Sequence, residues 1–285
     1  LDLVFGKAVG STGSIVCVFN QSRNQAGLEQ PFSGVTTLAL TPWKHNKAEV
    51  TDANSDGKPD LLSIRTTGDW SSGTHPNFPV TLFLNTGTLP ADYINTDASR
   101  ILAGFTQIDD CGITSANVMS PLASWDIDND GDQVLINGSS DWPSSSRPHI
   151  YINDGTGNYT QMDSPIYQSS RYYHHWISIF DADLDNDMDA VWTGLHNFAD
   201  IYPRMWRNDG GLTFTDVTSD WGITARIPGS GNHGMGGYHA DLDEDGDTDF
   251  VVDMSNGWGS QQIFAIYRNN SVENGANWLG VNLVS

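Results

Sequence analysis

Residues 241–249 read DLDEDGDTD and run directly into the apolar residues FVV at 250–252. Three further clusters repeat this pattern: DANSDGKPD at 52–60, DIDNDGD at 126–132 and DADLDNDMD at 181–189. The first residues of the four clusters are 74, 55 and 60 positions apart. A cluster that returns at such intervals indicates an architecture built from internal repeats.

A second marker keeps nearly the same spacing. It consists of an aromatic residue, any residue and Asn: FLNTG at 83–87, YINDG at 151–155, WRNDG at 206–210 and YRNN at 267–270. The aromatic residues are 68, 55 and 61 positions apart. Two independent markers in register establish a repeat of about 55 residues, the size of one propeller blade.

Each repeat has the character of a β-sheet. Short apolar runs follow the acidic clusters, namely LLSI at 61–64, VLI at 134–136, AVW at 190–192 and FVV at 250–252. Such runs, bounded by turn residues, are typical of buried strands, and Asn-x-Gly suits a tight hairpin. The sequence therefore predicts an all-β fold, a β-propeller of four or five blades. The alternative is an open β-solenoid.

The repeats occupy residues 35–285 of the predicted organisation. Residues 1–34 form a separate N-terminal segment with two predicted strands, Leu1–Val9 and Ser14–Phe19. This segment either closes the ring or exchanges with a neighbouring subunit.

The acidic clusters have the composition of calcium loops. Alternate carboxylates converge on one point, Gly permits the bend between them, and Ca²⁺ accepts six to eight oxygen ligands in irregular geometry. No Glu stands at the twelfth position and a strand follows, so the loops are not EF-hands. The alternative is a set of Asx-turns without metal. The predicted ligands are Asp52, Asn54, Asp56, Asp60, Asp126, Asp128, Asp130, Asp132, Asp181, Asp183, Asp185, Asp187, Asp189, Asp241, Asp243, Asp245, Asp247 and Asp249.

The four loops differ in detail. Loop 241–249 is complete, while loop 181–189 carries Asn186 in place of Gly, and Asn also adopts left-handed backbone. Loop 52–60 has the neutral ligand Asn54 and is expected to bind more weakly. Loop 126–132 is followed by Val134 at the ninth position, so either Asp132 replaces the missing ligand or the site loses one. The predicted role of calcium is structural.

Charge excludes two classes of partner. The chain has 35 Asp and Glu against 13 Lys and Arg, a net charge of −22, which repels nucleic acid and anionic membranes. No apolar run is long enough to span a bilayer. Cys17 and Cys111 are either one disulfide or two buried thiols. Sequons at Asn20, Asn137, Asn158 and Asn269 suggest glycosylation and an extracellular location.

The acidic loops before apolar strands resemble the FG-GAP/VCBS repeats of extracellular propellers, including integrin α-chains and several lectins. Residues 214–223, FTDVTSDWGI, and 277–283, NWLGVNL, resemble the ASPIC/UnbV proteins more narrowly. The resemblance implies a calcium-binding propeller used for adhesion, recognition or assembly. A fold alone does not decide among these.

The partner is predicted to be a carbohydrate or an extracellular protein. Aromatic residues in polar loops after each cluster, which suit stacking on sugars, are Trp70, Trp142, Phe198 and Trp258. The alternative is that these rings pack between blades. The histidines at 174, 175, 233 and 239 are predicted to be structural rather than catalytic. We expect no enzyme activity, with a polysaccharide-active enzyme as the less favoured alternative.

A self-assembling extracellular filament is the second functional hypothesis. It rests on the strand-like segment Leu1–Val9, which lies outside the four repeats and can pair with a neighbouring subunit.

Overall fold

The computed structural model describes residues 3–9, 12–20, 32–39, 44–66, 80–87, 104–113, 122–137, 148–166, 172–196, 203–223, 233–255, 262–271 and 275. Within these ranges all the regular secondary structure consists of β-strands. The described residues contain no helix that is long and apolar enough to cross a membrane. The strands are β1 (Leu3–Val9), β2 (Thr12–Asn20), β3 (Phe32–Ala39), β4 (Lys44–Thr51), β5 (Asp60–Thr66), β6 (Val80–Asn85), β7 (Phe105–Ile108), β8 (Leu122–Trp125), β9 (Val134–Asn137), β10 (His149–Asn153), β11 (Tyr159–Met162), β12 (Tyr172–Phe180), β13 (Asp189–His196), β14 (Arg204–Asn208), β15 (Phe214–Asp216), β16 (His233–Ala240), β17 (Asp249–Ser255) and β18 (Gln262–Tyr267).

These strands form five sheets in which neighbours in sequence are neighbours in space. The N-terminal sheet has the order β1-β2-β3. Blade 1 is β4-β5-β6-β7, blade 2 is β8-β9-β10-β11, blade 3 is β12-β13-β14-β15 and blade 4 is β16-β17-β18. The described strand pairs of blades 1, 3 and 4 are antiparallel. The all-β fold of propeller type is thus confirmed, and the open solenoid is wrong because each repeat forms its own up-and-down sheet.

The two sequence markers occupy equivalent places in all four blades. Each acidic cluster connects the first strand of its blade to the second, and each apolar run lies in that second strand. Each aromatic-x-Asn marker stands at the end of the third strand. Side chains of the second strands are fully buried, as for Leu62, Leu135, Val191 and Val252. Burial of each such side chain stabilises the fold by roughly 1.5–3 kcal/mol.

A β-bulge recurs in the first strand of three blades. The register shifts between His45 and Lys47, between His174 and Trp176, and between Gly234 and Gly236. In each case the extra residue stands six positions before the first Asp of the following loop. A bulge bends and twists its strand, so this bend is a constant part of the approach to the loop.

The chain divides into two compact units. The first comprises Leu1–Val118, Gly131–Leu135 and Tyr151–Met162, and the second comprises Met119–Asp130, Ile136–Ile150 and Asp163–Ser285. In the second unit a core cluster includes Phe180, Val191, Met205, Val217 and Phe250. In the first unit Cys111 is a buried thiol whose Sγ lies 3.7 Å from the carbonyl oxygen of Val80.

The N-terminal residues form a sheet of their own chain. Strand β1 pairs antiparallel with β2, from Leu3 opposite Val18 to Val9 opposite Thr12. Strand β3 joins the same sheet, so it crosses the predicted boundary at residue 34.

Candidate metal centre

The four acidic loops share one backbone conformation. We call them loop 1 (52–60), loop 2 (126–134), loop 3 (181–189) and loop 4 (241–249), and number the positions within each from one to nine. The fourth position has positive φ in every loop, at Ser55 (54°), Asn129 (60°), Leu184 (62°) and Glu244 (61°). The sixth also has positive φ, at Gly57 (79°), Gly131 (95°), Asn186 (76°) and Gly246 (100°). The two left-handed residues curl the chain around a single centre.

The first Asp of loops 1, 3 and 4 stabilises this curl. In loop 3 the two carboxylate oxygens of Asp181 accept hydrogen bonds from the backbone N–H groups of Asp185 and Asn186, both at 3.1 Å. Asp52 and Asp241 accept the corresponding pairs of bonds at 2.8–3.2 Å. Side chains of the loops therefore do cap backbone N–H groups, and the Asx-turns that the sequence offered as an alternative to metal are made by Asp56, Asp185 and Asp245. These hydrogen bonds leave lone pairs on the same carboxylates for other contacts.

The ninth Asp of these three loops is buried and joins two backbone segments through hydrogen bonds, and we call it the staple. In loop 3 Asp189 accepts hydrogen bonds from the N–H of Ala182 at 2.9 Å and from the N–H of Asn208 at 2.8 Å. Asp60 and Asp249 accept the equivalent bonds in loops 1 and 4. The ninth position thus ties the start of the loop to the end of the third strand.

Carboxylate groups converge in three of the four loops. Within the described residues, ligand oxygens lie within 4.8 Å of one another in three sets. These sets are Asp126, Asp128 and Asp130 in loop 2; Asp181, Asp183 and Asp189 in loop 3; and Asp241, Asp243 and Asp249 in loop 4. Loop 1 contains the neutral Asn54 at its third position, and its Asp52, Asp56 and Asp60 do not form such a set. Each set is an all-oxygen site suited to a hard divalent cation.

Several of these oxygens are buried without a hydrogen-bond donor. They are Oδ1 of Asn54, Asp126, Asp128 and Asp183. A buried carboxylate oxygen left without a partner costs free energy, and proteins rarely tolerate it. Oxygens of the first and third positions, aimed into the curl and without donors, fit a bound cation.

The electrostatics of the loops point the same way. Burial, together with the charges of Asp185 and Asp181, raises the pKa of Asp183 to about 6. Burial raises the pKa of Asp189 to about 7 despite its two backbone hydrogen bonds. Burial also raises the pKa of Asp60, Asp128 and Asp181. A divalent cation reverses this tendency because it stabilises the ionised carboxylates.

The seventh position makes contacts outside its own loop. Asp132 accepts a hydrogen bond from Ser55 Oγ of loop 1 at 2.6 Å, and Asp187 accepts one from Asn129 Nδ2 of loop 2 at 2.8 Å. Asp132 therefore does not join the carboxylate set of loop 2, whose third member is Asp130. Asp247 of loop 4 is buried.

The fifth position makes ion pairs in loops 1 and 4. Asp56 pairs with Lys58 Nζ at 2.7 Å, and Asp245 pairs with Arg268 at 3.1 Å. Asp185 is exposed and accepts a hydrogen bond from the N–H of Asp187 at 2.8 Å.

The asparagine of the second marker is a contact between blades. Nδ2 of Asn153 donates to the carbonyl oxygen of Ala53 at 2.8 Å, Nδ2 of Asn208 to that of Ile127 at 2.9 Å, and Nδ2 of Asn269 to that of Ala182 at 2.7 Å. Each acceptor is the second residue of the loop in the preceding blade. In blade 1 the equivalent Asn85 donates to Pro59 of its own blade at 3.1 Å. We call this contact the asparagine latch. The sequence marked these residues only as turn formers.

Other predicted residues have varied outcomes. Trp70, Trp142, Phe198 and Trp258 lie outside the described residues, as do the side chains of His174, His175, His233 and Asn20. His239 stacks on Phe180 with ring centroids 5.0 Å apart, which is a structural role.

The sequons are also differently placed. Asn137 is fully buried and the amide of Asn269 is used in the latch. We expect no glycan on either residue in the folded chain, because Asn137 is fully buried and the amide of Asn269 donates to Ala182. Asn158 is exposed.

A cavity of about 1060 Å³ lies in the second unit beside loops 3 and 4. Its walls include Arg207, Arg268, Trp221, Tyr267 and Asp183. The hydroxyl of Tyr267 is buried there without a hydrogen-bond partner. This combination of aromatic faces and polar groups is typical of a ligand site.

Comparison with known proteins identifies no family. No family model matches the chain, and no curated protein matches it. Among solved structures it is similar to the crystal structure of the exotype rhamnogalacturonan lyase YesX, with 13% identity and a TM-score of 0.41. The match covers 86% of this chain and 46% of that one, so this chain spans less than half the length of that structure. A likeness at this level carries no argument about function.

Proposed function

We propose that the protein is an extracellular, calcium-binding β-propeller that acts as a non-catalytic recognition or adhesion module. The observation that carries the calcium site is the set of buried Oδ1 atoms without donors on Asp126, Asp128 and Asp183, each within a group of converging carboxylates. The FG-GAP/VCBS resemblance of the loops supports the same assignment.

Calcium fits these loops better than other common cations. The converging groups offer oxygen only, without the Cys or His ligands that Zn²⁺ prefers. Loop backbones with two left-handed residues give irregular geometry, which Ca²⁺ accepts and Mg²⁺ does not. Bound calcium would neutralise the mutual repulsion of the carboxylates and fix the curl of each loop.

The test is calorimetric titration of the calcium-stripped full chain with CaCl₂, combined with thermal unfolding in calcium and in EGTA. We expect binding of several ions. When the free calcium concentration is 100 times the Kd of a site, binding at that site should stabilise the fold by about 2.7 kcal/mol. Asp128→Asn and Asp183→Asn should each weaken binding. Asp163→Asn changes an exposed Asp outside the loops and is the matched control. Absence of heat and an unchanged Tm in EGTA would refute the proposal.

For recognition, the cavity of the second unit is the best-supported ligand site. Trp221 and Tyr267 pack against the apolar core and offer ring surfaces, while Arg207 and Arg268 provide donors. Sugars are bound by this combination of stacking and hydrogen bonding. We therefore propose a carbohydrate ligand. A glycan array should show binding that Trp221→Ala abolishes; binding by no glycan, or equal binding by the variant, would exclude this ligand class.

Self-association into a filament is a second candidate, favoured by the last strand of blade 4. Phe264 and Ile266 alternate along β18 and are 63% and 67% exposed. This strand ends the described order of its sheet, and an apolar strand of this kind invites pairing with another chain. Negative-stain microscopy of the wild type and of Phe264→Ser/Ile266→Ser would test it. Loss of polymers in the variant supports the filament, and a monomeric wild type excludes it.

A further inference from the structure

Arg268 occupies the carboxylates of loop 4. Its Nε lies 2.6 Å from Oδ2 of Asp243, and its Nη2 lies 3.1 Å from Oδ2 of Asp245. Asp243 belongs to the converging set of loop 4, together with Asp241 and Asp249. A guanidinium group therefore neutralises, from within the chain, the third and fifth positions of a loop that is otherwise suited to a metal ion.

The equivalent arginine of blade 3 faces elsewhere. Arg207 precedes the latch residue Asn208 as Arg268 precedes Asn269. Its Nη2 lies 2.6 Å from Oδ1 of Asp209, and its Nε also donates to that oxygen at 2.7 Å. Oδ1 of Asp183, the third position of loop 3, remains buried and without a donor.

One residue accounts for the difference. The position two residues after the arginine is Asp209 in blade 3 and the neutral Asn270 in blade 4. With a carboxylate at that position the arginine pairs outside the loop, and without one it pairs with the loop. Blades 1 and 2 have Leu84 and Ile152 at the place of the arginine, so neither side chain can compete for a cation.

We infer that Arg268 is an internal counter-cation that competes with calcium for loop 4, so that loop 4 is weaker than loop 3 although its acidic sequence is complete. This inference rests on the proposed calcium function and adds the determinant of affinity at one site. To bind an ion, loop 4 must release the guanidinium from both carboxylates, and the displaced charge still repels the ion from nearby. The expected penalty is on the order of tenfold in Kd.

Loop 4 is then the site that responds to changes in calcium and salt. The side chain of Arg268 is half-exposed, so ionic screening weakens its hold on the carboxylates. The apparent preference for loop 3 over loop 4 should therefore narrow as ionic strength rises.

The decisive experiment changes which carboxylate pairs with Arg268 and leaves every acidic ligand of loop 4 in place. Asn270→Asp gives blade 4 the carboxylate of blade 3 and should draw Arg268 outward, tightening the calcium site of loop 4 by about tenfold. Arg268→Gln should tighten it by a similar factor. Asp209→Asn should do the reverse in blade 3 and weaken a strong site. Arg204→Gln, whose wild-type residue pairs with Asp216 rather than with a residue of an acidic loop, is the matched control and should change calcium affinity least.

Calorimetry of each full-length variant with CaCl₂ measures these changes. Asp243→Asn identifies the loop 4 site as the binding step that this substitution removes. If the wild type binds calcium but Asn270→Asp and Arg268→Gln leave the affinity of that site unchanged, the inference is overturned while the proposed function stands. If the wild type binds no calcium, both fail together.

Discussion

Loops 2 and 3 have the same backbone conformation, and each brings three carboxylates together, but from different positions. Loop 3 gathers carboxylates from its first, third and ninth positions, whereas loop 2 gathers them from its first, third and fifth. The cause is the ninth position, which is the buried staple Asp189 in loop 3 and the buried apolar Val134 in loop 2. The comparison teaches that the ninth Asp is first a structural residue, and that a metal set can form without it.

The two loops also differ at the fourth position. Both adopt left-handed backbone there, with Asn129 in loop 2 and Leu184 in loop 3. Asn tolerates this conformation, while a branched apolar residue is strained in it. Asn129 uses its side chain to bond to Asp187 of loop 3. One loop therefore gains a contact at the position where the other stores strain.

The largest effect should follow from giving loop 3 the ninth residue of loop 2. Asp189→Val leaves the buried N–H groups of Ala182 and Asn208 without their acceptor, which we expect to cost about 3 kcal/mol. Denaturant unfolding in calcium buffer measures this loss. Asp163→Val, at an exposed position, should stay within about 0.5 kcal/mol of the wild type. Equal stability of the two variants would show that the staple is dispensable.

The next largest effect should come from removing the latch that joins strand β14 of blade 3 to loop 2. Asn208→Ala removes the amide that donates to Ile127 and should destabilise the chain by about 2 kcal/mol. Asn208→Asp keeps the size but replaces the donor by an acceptor, so it should be at least as damaging. Asn158→Ala, an exposed Asn, is the control. Thermal unfolding that ranks Asn158→Ala with Asn208→Ala would contradict the latch.

A smaller effect is the pH dependence of stability, whose upper part should come from loop 3 rather than from loop 2. In metal-free buffer the folded-state pKa values of Asp183 and Asp189 are about 6 and about 7, above the ordinary 3.8. The folded chain thus holds these protons more tightly than the unfolded chain, and its stability in EGTA should rise as pH falls from about 7 towards about 4. Saturating calcium needs the ionised carboxylates and should reverse the trend.

Asp189→Asn locates the pH effect. It should remove the upper part of the pH dependence in EGTA, near the pKa of Asp189, whereas Asp128→Asn in loop 2 should leave that part intact. Tm measured at several pH values, with and without EGTA, is the readout. A Tm in EGTA that rises with pH across this range would contradict the assignment.

The smallest effect is a gain. Leu184→Asn gives loop 3 the fourth residue of loop 2 and should stabilise the chain by about 1 kcal/mol, because Asn is less strained at positive φ. Asn129→Leu in loop 2 should cost more than this, since it also removes the bond to Asp187. Chemical denaturation of the two variants tests the pair. A loss of stability in Leu184→Asn would mean that the leucine side chain makes a contact worth more than the strain.

The sequence predicted the elements of the fold because their signals are local. The spacing from Asp241 to Asp249 and the apolar residues after it defined both a loop and a strand. The left-handed fourth position was not predictable, since Leu184 and Glu244 have no preference for that conformation. The contact of Asp132 was not predictable for a related reason: its partner Ser55 is 77 residues away.

The latch and the arginine competition depend on distant partners. The acceptor of Asn208 is the backbone carbonyl of Ile127, 81 residues earlier. Because every residue has a backbone carbonyl, the sequence does not show which one accepts this bond. Arg207 and Arg268 are the same residue in equivalent positions, so only their observed pairing distinguishes them. That pairing depends on a third residue, Asp209 or Asn270, whose effect is visible only once the geometry is known.

The asparagine latch has a direction. Every latch between blades runs from a later asparagine to a carbonyl that the ribosome has already released: Asn153 to Ala53, Asn208 to Ile127 and Asn269 to Ala182. A nascent chain can therefore dock each new blade onto a finished one as it emerges, without waiting for its C-terminus. A stop codon after blade 3 would leave the latches of Asn153 and Asn208 intact. Loss of blade 1 would remove Ala53, the acceptor of Asn153, so that blade 2 would have no earlier blade to dock onto.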